Sequence, residues 1–152
     1  MKGFTLIELL ISLGITVIVG GIGLLTIQNL RVQRTLEFES DKLVQTLREA
    51  QQNSISELES SFWGVYVNAP AGDGDRYDIF YAETIGGAST THRSVTLPSH
   101  IEFSSPAQGN STIINFLKIS GVPDNTATFT LLTTVGDGII NISILENGNI
   151  TR

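Results

Sequence analysis

Hydrophobic positions are distributed unevenly along the chain. From Phe4 to Ile27 nearly every residue is apolar, and Glu8 is the only charge in these 24 residues. As an α-helix the stretch would extend about 36 Å, more than the roughly 30 Å hydrocarbon core of a bilayer. Lys2 precedes it and Arg31 and Arg34 follow it, so flanking charge favours a cytoplasmic amino terminus only weakly. A secretory signal peptide would have a shorter apolar core and a small-residue cleavage site after it, and neither pattern is present. The bland alternative is a core helix of a soluble protein, which this length disfavours.

From Gln28 to about Glu57 the period changes. Leu30, Leu36, Leu43, Leu47, Ala50 and Leu58 recur near helical spacing, separated by Arg34, Glu37, Glu39, Asp41, Lys42, Arg48 and Glu49. This spacing predicts an amphipathic helix that continues the apolar segment. Ser40 and Ser54 interrupt a coiled-coil seam, so the stripe is expected to carry a sheet. Beyond Ser60 the period is two. Phe62–Val67 and Tyr77–Tyr81 flank a turn-rich loop and read as a hairpin. Further strands are expected at Ser94–Leu97, Ile101–Ser104, Thr112–Ile119, Thr126–Val135 and Ile139–Leu145, seven in all. One long helix followed by short strands predicts an α+β fold, with the helix packed on an antiparallel sheet. The expected segments are 1–3, a leader; 4–27, a transmembrane helix; 28–60, its amphipathic continuation; and 61–152, a β-rich head.

Glu8 needs a physical account. A carboxylate within an apolar span is costly and usually faces a partner rather than lipid. Ser12, Thr16 and Gly20 follow it at intervals of four, forming a polar and small stripe on one side of the helix, and such stripes permit close helix approach. Snorkelling of Glu8 to the near interface is the competing reading.

The run Gly3-Phe4-Thr5-Leu6-Ile7-Glu8-Leu9-Leu10 resembles the processing and methylation motif of type IV prepilins and type II secretion pseudopilins. The resemblance implies cleavage between Gly3 and Phe4 by a prepilin peptidase and N-methylation of Phe4. It also implies that Glu8 neutralises the Phe4 amine of an adjacent subunit during assembly. Pairing the two charges across subunits would remove much of the cost of placing either in apolar surroundings. The chain departs from many relatives at Gly20-Gly21-Ile22-Gly23, where they carry a proline. Later features resemble the minor, H-type pseudopilins: Leu47-Arg48-Glu49-Ala50-Gln51, Ile114-Asn115-Phe116 followed by Gly121, and Ile142–Ile144 followed by Asn147-Gly148-Asn149-Ile150. The partners implied are other pilin or pseudopilin subunits, the peptidase and the cytoplasmic membrane, with the head on its outer side.

Composition trims the alternatives. The chain has nine Lys/Arg and 15 Asp/Glu; Lys2 and Glu8 aside, eight and 14 lie beyond Ile27, a net charge of −6. That balance argues against a phosphate-binding surface, and so against a DNA-capturing minor pilin. It does so even though Phe62, Trp63, Tyr66, Tyr77, Phe80 and Tyr81 could stack on bases if turned outward; a core role is expected for them. There is no cysteine, hence no disulfide. Gly72-Asp73-Gly74-Asp75-Arg76-Tyr77-Asp78 alternates acids with glycines, and some major pseudopilins bind calcium. The calcium-loop spacing is missing, however, so Asp73, Asp75 and Asp78 read as a solvated turn, as does Asp137 in Gly136-Asp137-Gly138. His92 and His100 form no zinc pattern, and no serine sits in a nucleophile-elbow sequence, so a membrane-anchored hydrolase is disfavoured. No catalytic, cofactor or metal residue is expected, and Asn110, Asn141 and Asn149 head chance glycosylation sequons.

Overall fold

The computed structural model describes residues 5–72, 74–135 and 138–152, with the backbone alone for 21–29. A single helix, α1 (Leu6–Ile55), is followed by a 3-10 turn at Leu58–Ser60. Eight strands come next: β1 (Phe62–Ala69), β2 (Arg76–Ala82), β3 (Ser89–Thr96), β4 (Ile101–Ser105), β5 (Asn110–Phe116), β6 (Ala127–Thr133), β7 (Ile139–Ile144) and β8 (Ile150–Thr151). They form two four-stranded sheets, ordered β3-β2-β1-β5 and β4-β6-β7-β8, with every named pairing antiparallel. The α+β fold is as expected from the sequence, but the head holds two sheets rather than one.

Both sheets meet on α1, which touches β1, β2 and β5 of the first and β6, β7 and β8 of the second. Leu36, Leu43, Leu47 and Ala50 are buried as the helical spacing predicts, whereas Leu30 and Leu58 are exposed. The stripe joins one continuous core with Trp63, Val65, Val67 and Tyr77 from the first sheet and Phe103, Phe129, Leu131 and Ile142 from the second. Alternation in β1 sends Trp63, Val65, Val67 and Ala69 inward and leaves Tyr66 and Asn68 half-buried on the outer face. Gly64 belongs to that outer face. A Cβ there would lie 2.5 Å from the Ile114 carbonyl and 2.7 Å from Phe80 Cζ, so the missing side chain is what lets the Phe80 ring lie across the strand.

The helix stops at Ile55, earlier than the sequence boundary at residue 60. Glu57, Glu59 and Ser60 all have positive φ, a backbone that non-glycine residues rarely adopt and that composition did not flag. Tertiary bonds hold it. Ser54 Oγ donates to the Phe116 carbonyl at 2.9 Å and accepts from Trp63 N–H at 2.8 Å. Trp63 Nε1 donates to Leu58 O at 3.0 Å, and Ile119 N–H donates to Ser54 O at 3.2 Å. One turn earlier, Gln51 Nε2 donates to both Gly121 O and Gly148 O at 2.8 Å, so α1 is tied to loops of both sheets.

Strand limits also moved. β3 begins at Ser89 rather than Ser94, and β5 ends at Phe116 rather than Ile119. Ile119 lies outside it with φ 67°. β8 closes the second sheet by pairing Ile144 with Ile150 around Gly148.

Ser54 is buried, and its loss would leave the Trp63 N–H and the Phe116 carbonyl unpaired. Ser54→Ala is expected to destabilise the chain by about 1–3 kcal/mol, measured by urea unfolding of the detergent-solubilised protein. An unchanged midpoint would show that the brace carries no weight.

Candidate functional site

The amino-terminal motif is the candidate site. Gly3 and Phe4 lie outside the described residues, so its geometry begins at Thr5. Thr5 has extended backbone (φ −80°, ψ 150°) and caps α1. Its hydroxyl accepts from Glu8 N–H at 3.4 Å, while Glu8 Oε2 accepts from Thr5 N–H at 2.9 Å and Thr5 Oγ1 at 2.8 Å. This reciprocal arrangement is a capping box, which satisfies backbone donors that the first turn would otherwise leave open. The carboxylate also sits favourably at the positive end of the helix dipole. Thr5 was not singled out from the sequence, although Thr5-Leu6-Ile7-Glu8 has the Thr-x-x-Glu spacing that marks such a box.

Glu8 is solvent-exposed, and its carboxylate is bonded to Thr5. The stripe beyond it has the same character. Ser12 Oγ donates to Glu8 O at 2.7 Å, and Thr16 Oγ1 donates to Ser12 O at 2.8 Å. Each hydroxyl is folded back on the preceding turn, and nothing lies within 4 Å of a Cβ built at Gly14 or Gly20. Leu6 to Gly20 is exposed on every side, with Leu6, Ile7, Leu9, Val17 and Val19 among its uncovered side chains. Among the described residues no helix is long and apolar enough to cross a membrane. The described apolar part, Leu6–Gly20, covers about 22 Å, short of the roughly 30 Å needed; the rest of the expected 4–27 span, including the Gly21 and Gly23 side of the glycine cluster, lies outside the described side chains.

The other candidates are scattered. Asp75 is buried, and its Oδ2 accepts from Phe103 N–H at 2.5 Å and Gln108 Nε2 at 3.0 Å, pinning the start of β2 to β4. Asp78 turns the other way, accepting from Ser94 Oγ and lying 3.7 Å from Arg76 Nε. Asp73 and Asp137 lie outside the described residues. Asp75 and Asp78 are thus not the solvated turn expected from the sequence: both are buried, and different strands engage them rather than a shared site. Among the described residues no group of three or more His, Cys, Asp or Glu could hold a metal ion. His92 stands edge-on to Trp63 with ring centres 5.3 Å apart, while His100 lies in the β3–β4 connection, its carbonyl accepting from Thr134 N–H at 3.0 Å. A groove of about 580 Å³ on the outer face of the first sheet includes Tyr66, Asp78, Phe80, Ile113, Asn115 and Asp124. Its described lining holds two aspartates and no lysine or arginine. Of the six aromatics expected in the core, Trp63, Tyr77 and Phe80 are buried, and Phe62, Tyr66 and Tyr81 are partly covered.

Residues 1–24 match the family model described as the prokaryotic N-terminal methylation motif. That motif is the signature of type IV prepilin-like proteins, and it implies a chain anchored in the inner membrane. No curated protein and no solved structure matches the chain.

Tyr77 is the head's most perturbed titratable group. Burial first, and then the nearby Glu39 carboxylate, push its hydroxyl well above the ordinary tyrosine range. Among the described residues no group hydrogen-bonds the hydroxyl with good geometry; the adjacent Thr46, whose proximity lowers the pKa slightly, donates to Lys42 O at 2.9 Å. The unfolded chain ionises this phenol near pH 10, whereas the fold keeps it neutral. Stability from this group is therefore intact below about pH 10 and is lost as pH rises above it. Tyr77→Phe is expected to melt no lower than the parent at pH 7, with a gap in its favour that widens above about pH 10. Parallel pH profiles in thermal melts would assign the alkaline loss elsewhere.

Proposed function

We propose that this chain is a structural subunit, of the minor type, of a type IV pilus or type II secretion pseudopilus. A prepilin peptidase cuts between Gly3 and Phe4, the Phe4 amine is methylated, and α1 carries the subunit from the cytoplasmic membrane into the filament. Glu8 meets the Phe4 amine of a neighbour there, and the role is architectural rather than catalytic. One observation carries the reading: behind a methylation motif, the apolar side chains from Leu6 to Gly20 are uncovered all round. Such a surface is stable only in lipid or against other helices.

Glu8 can serve both states. Its Oε2 is occupied by Thr5, and a carboxylate has further lone pairs for an incoming ammonium. The minor-type assignment draws on three features of the H-type resemblance that converge in space, Gln51 bonding the carbonyls of Gly121 and Gly148. The DNA-capturing alternative is disfavoured by the aspartates of the outer groove, which repel phosphate rather than neutralise it.

Mass spectrometry of protein from cells containing the peptidase should find a mature chain that begins at methylated Phe4. A retained Met1 would remove the reading. Glu8→Ala should stay at normal level in the membrane and fall at least about tenfold in sheared filaments, the loss of a charge pair in apolar surroundings. Normal incorporation would dismiss the assembly role of Glu8.

A further inference from the structure

The head has two chemically different ends along α1. At the carboxyl end of the helix the chain turns through Glu57, Glu59 and Ser60 with φ of 51°, 57° and 50°. The neighbouring turn places Ile119 at φ 67°, unfavourable for a β-branched residue, yet leaves it 72% exposed. Strain that presents an apolar side chain to solvent is a reason to look for a contact. Ile55 and Leu58 are exposed at the same end. Lys118 lies there with its Nζ on the Ser60 carbonyl and over the Phe62 ring, beside the two exposed carboxylates of Glu57 and Glu59.

The opposite end has the complementary character. Gly138, just before β7, rests against α1 at Leu36, where a Cβ on it would lie 2.9 Å from Leu36 Cδ2. Val135 and Ile139 flank that point and are exposed, as is Leu30 on the helix. Arg31 and Arg34 are exposed at this end too, Arg34 on the helix face of Leu30 and away from Leu36, with Glu37 one turn further up. Among the described residues the ion pairs are Lys42–Glu39, Arg76–Asp78, Arg93–Glu49 and Arg152–Asp41. Arg31, Arg34, Glu57 and Glu59 take part in none of them.

We propose that the acidic end of one copy seats against the basic end of a second, parallel copy. Glu57 and Glu59 meet Arg31 and Arg34, and Leu58 and Ile119 meet Leu30. Arg34 lies about 33 Å below the helix end at 1.5 Å per residue, so a copy displaced by that distance brings the two charge sets level. The two patches differ, which makes the contact heterologous, and a head-to-tail contact of this kind repeats into an open filament. The charges fix register and orientation more than affinity. This inference rests on the filament-subunit reading, which supplies the parallel orientation.

The test uses the full chain in cells that assemble the filament, with membrane level as the control for folding. The double reversals R31E/R34E and E57R/E59R should each lower the amount in sheared filaments, on the order of fivefold for exposed charge pairs. The fourfold variant carrying both should recover most of the loss. In addition, copies with Arg34→Cys co-expressed with copies with Glu57→Cys should give a disulfide-linked dimer in filaments after oxidation. A fourfold variant no better than either double variant would overturn the inference, and is the outcome expected if Arg31 and Arg34 instead contact anionic lipid. Filaments containing both cysteine copies without a linked dimer would overturn it as well. Those results would leave the subunit reading standing, whereas absence of the parent chain from filaments would remove both.

Discussion

The stripe of Leu36, Leu43, Leu47 and Ala50 is the contact on which the rest of the head depends, because both sheets reach their shared core through it. Among the described residues α1 is the helix that both sheets contact with their buried faces, and an apolar sheet face needs such a layer for stability in water. A single helix therefore acts as the floor for two layers. The same helix is mostly apolar and exposed on every side from Leu6 to Gly20 and amphipathic within the stripe, so its sequence encodes two surroundings in series. The change falls between Gly20, the last described residue of the wholly exposed apolar half, and Leu36, the first fully buried one.

Polar side chains lock this floor in place at its upper end. Ser54 joins β1 and β5 to the helix, and Gln51 joins the loops that follow β5 and β7. Each bond crosses from α1 to a part of the chain distant in sequence, so the position of the head on the helix is specified by directional contacts as well as by apolar area. Arg93–Glu49 at 2.5 Å and Arg152–Asp41 at 2.6 Å extend the attachment down the exposed flank, where ion pairs contribute little each. Rigid placement of the head matters under the proposed function, since filament contacts would be set by where the head sits relative to the helix.

The fold class, the buried leucine stripe and the first hairpin were legible in the sequence because each is written as a period. β3 was half missed for the opposite reason. Ser89, Thr90, Thr91, His92 and Arg93 form the outer strand of their sheet and are exposed, so no alternation of apolar and polar residues marks them. The register slips between Ile79 and Phe80, which pair with Arg93 and Thr91 and leave His92 as the extra residue. The end of α1 was misplaced because its stop signal is tertiary: no glycine or proline ends it, and the left-handed residues are held by bonds from Ser54, Trp63 and Lys118. In the amino-terminal motif Glu8 stands out by its charge, while Thr5 is legible only through the Thr-x-x-Glu spacing that it shares with Glu8.

The inward-folded hydroxyls of Ser12 and Thr16 have a further consequence. Their donors are met by the helix's own carbonyls, so beyond Glu8 this flank demands no acceptor of whatever lies beside it. A rod with such a flank can exchange acyl chains for sister rods, and back again, without stranding a donor at any stage. Lateral traffic of that sort would be cheap in both directions, leaving direction to be set at the extremities of the rod rather than along its length.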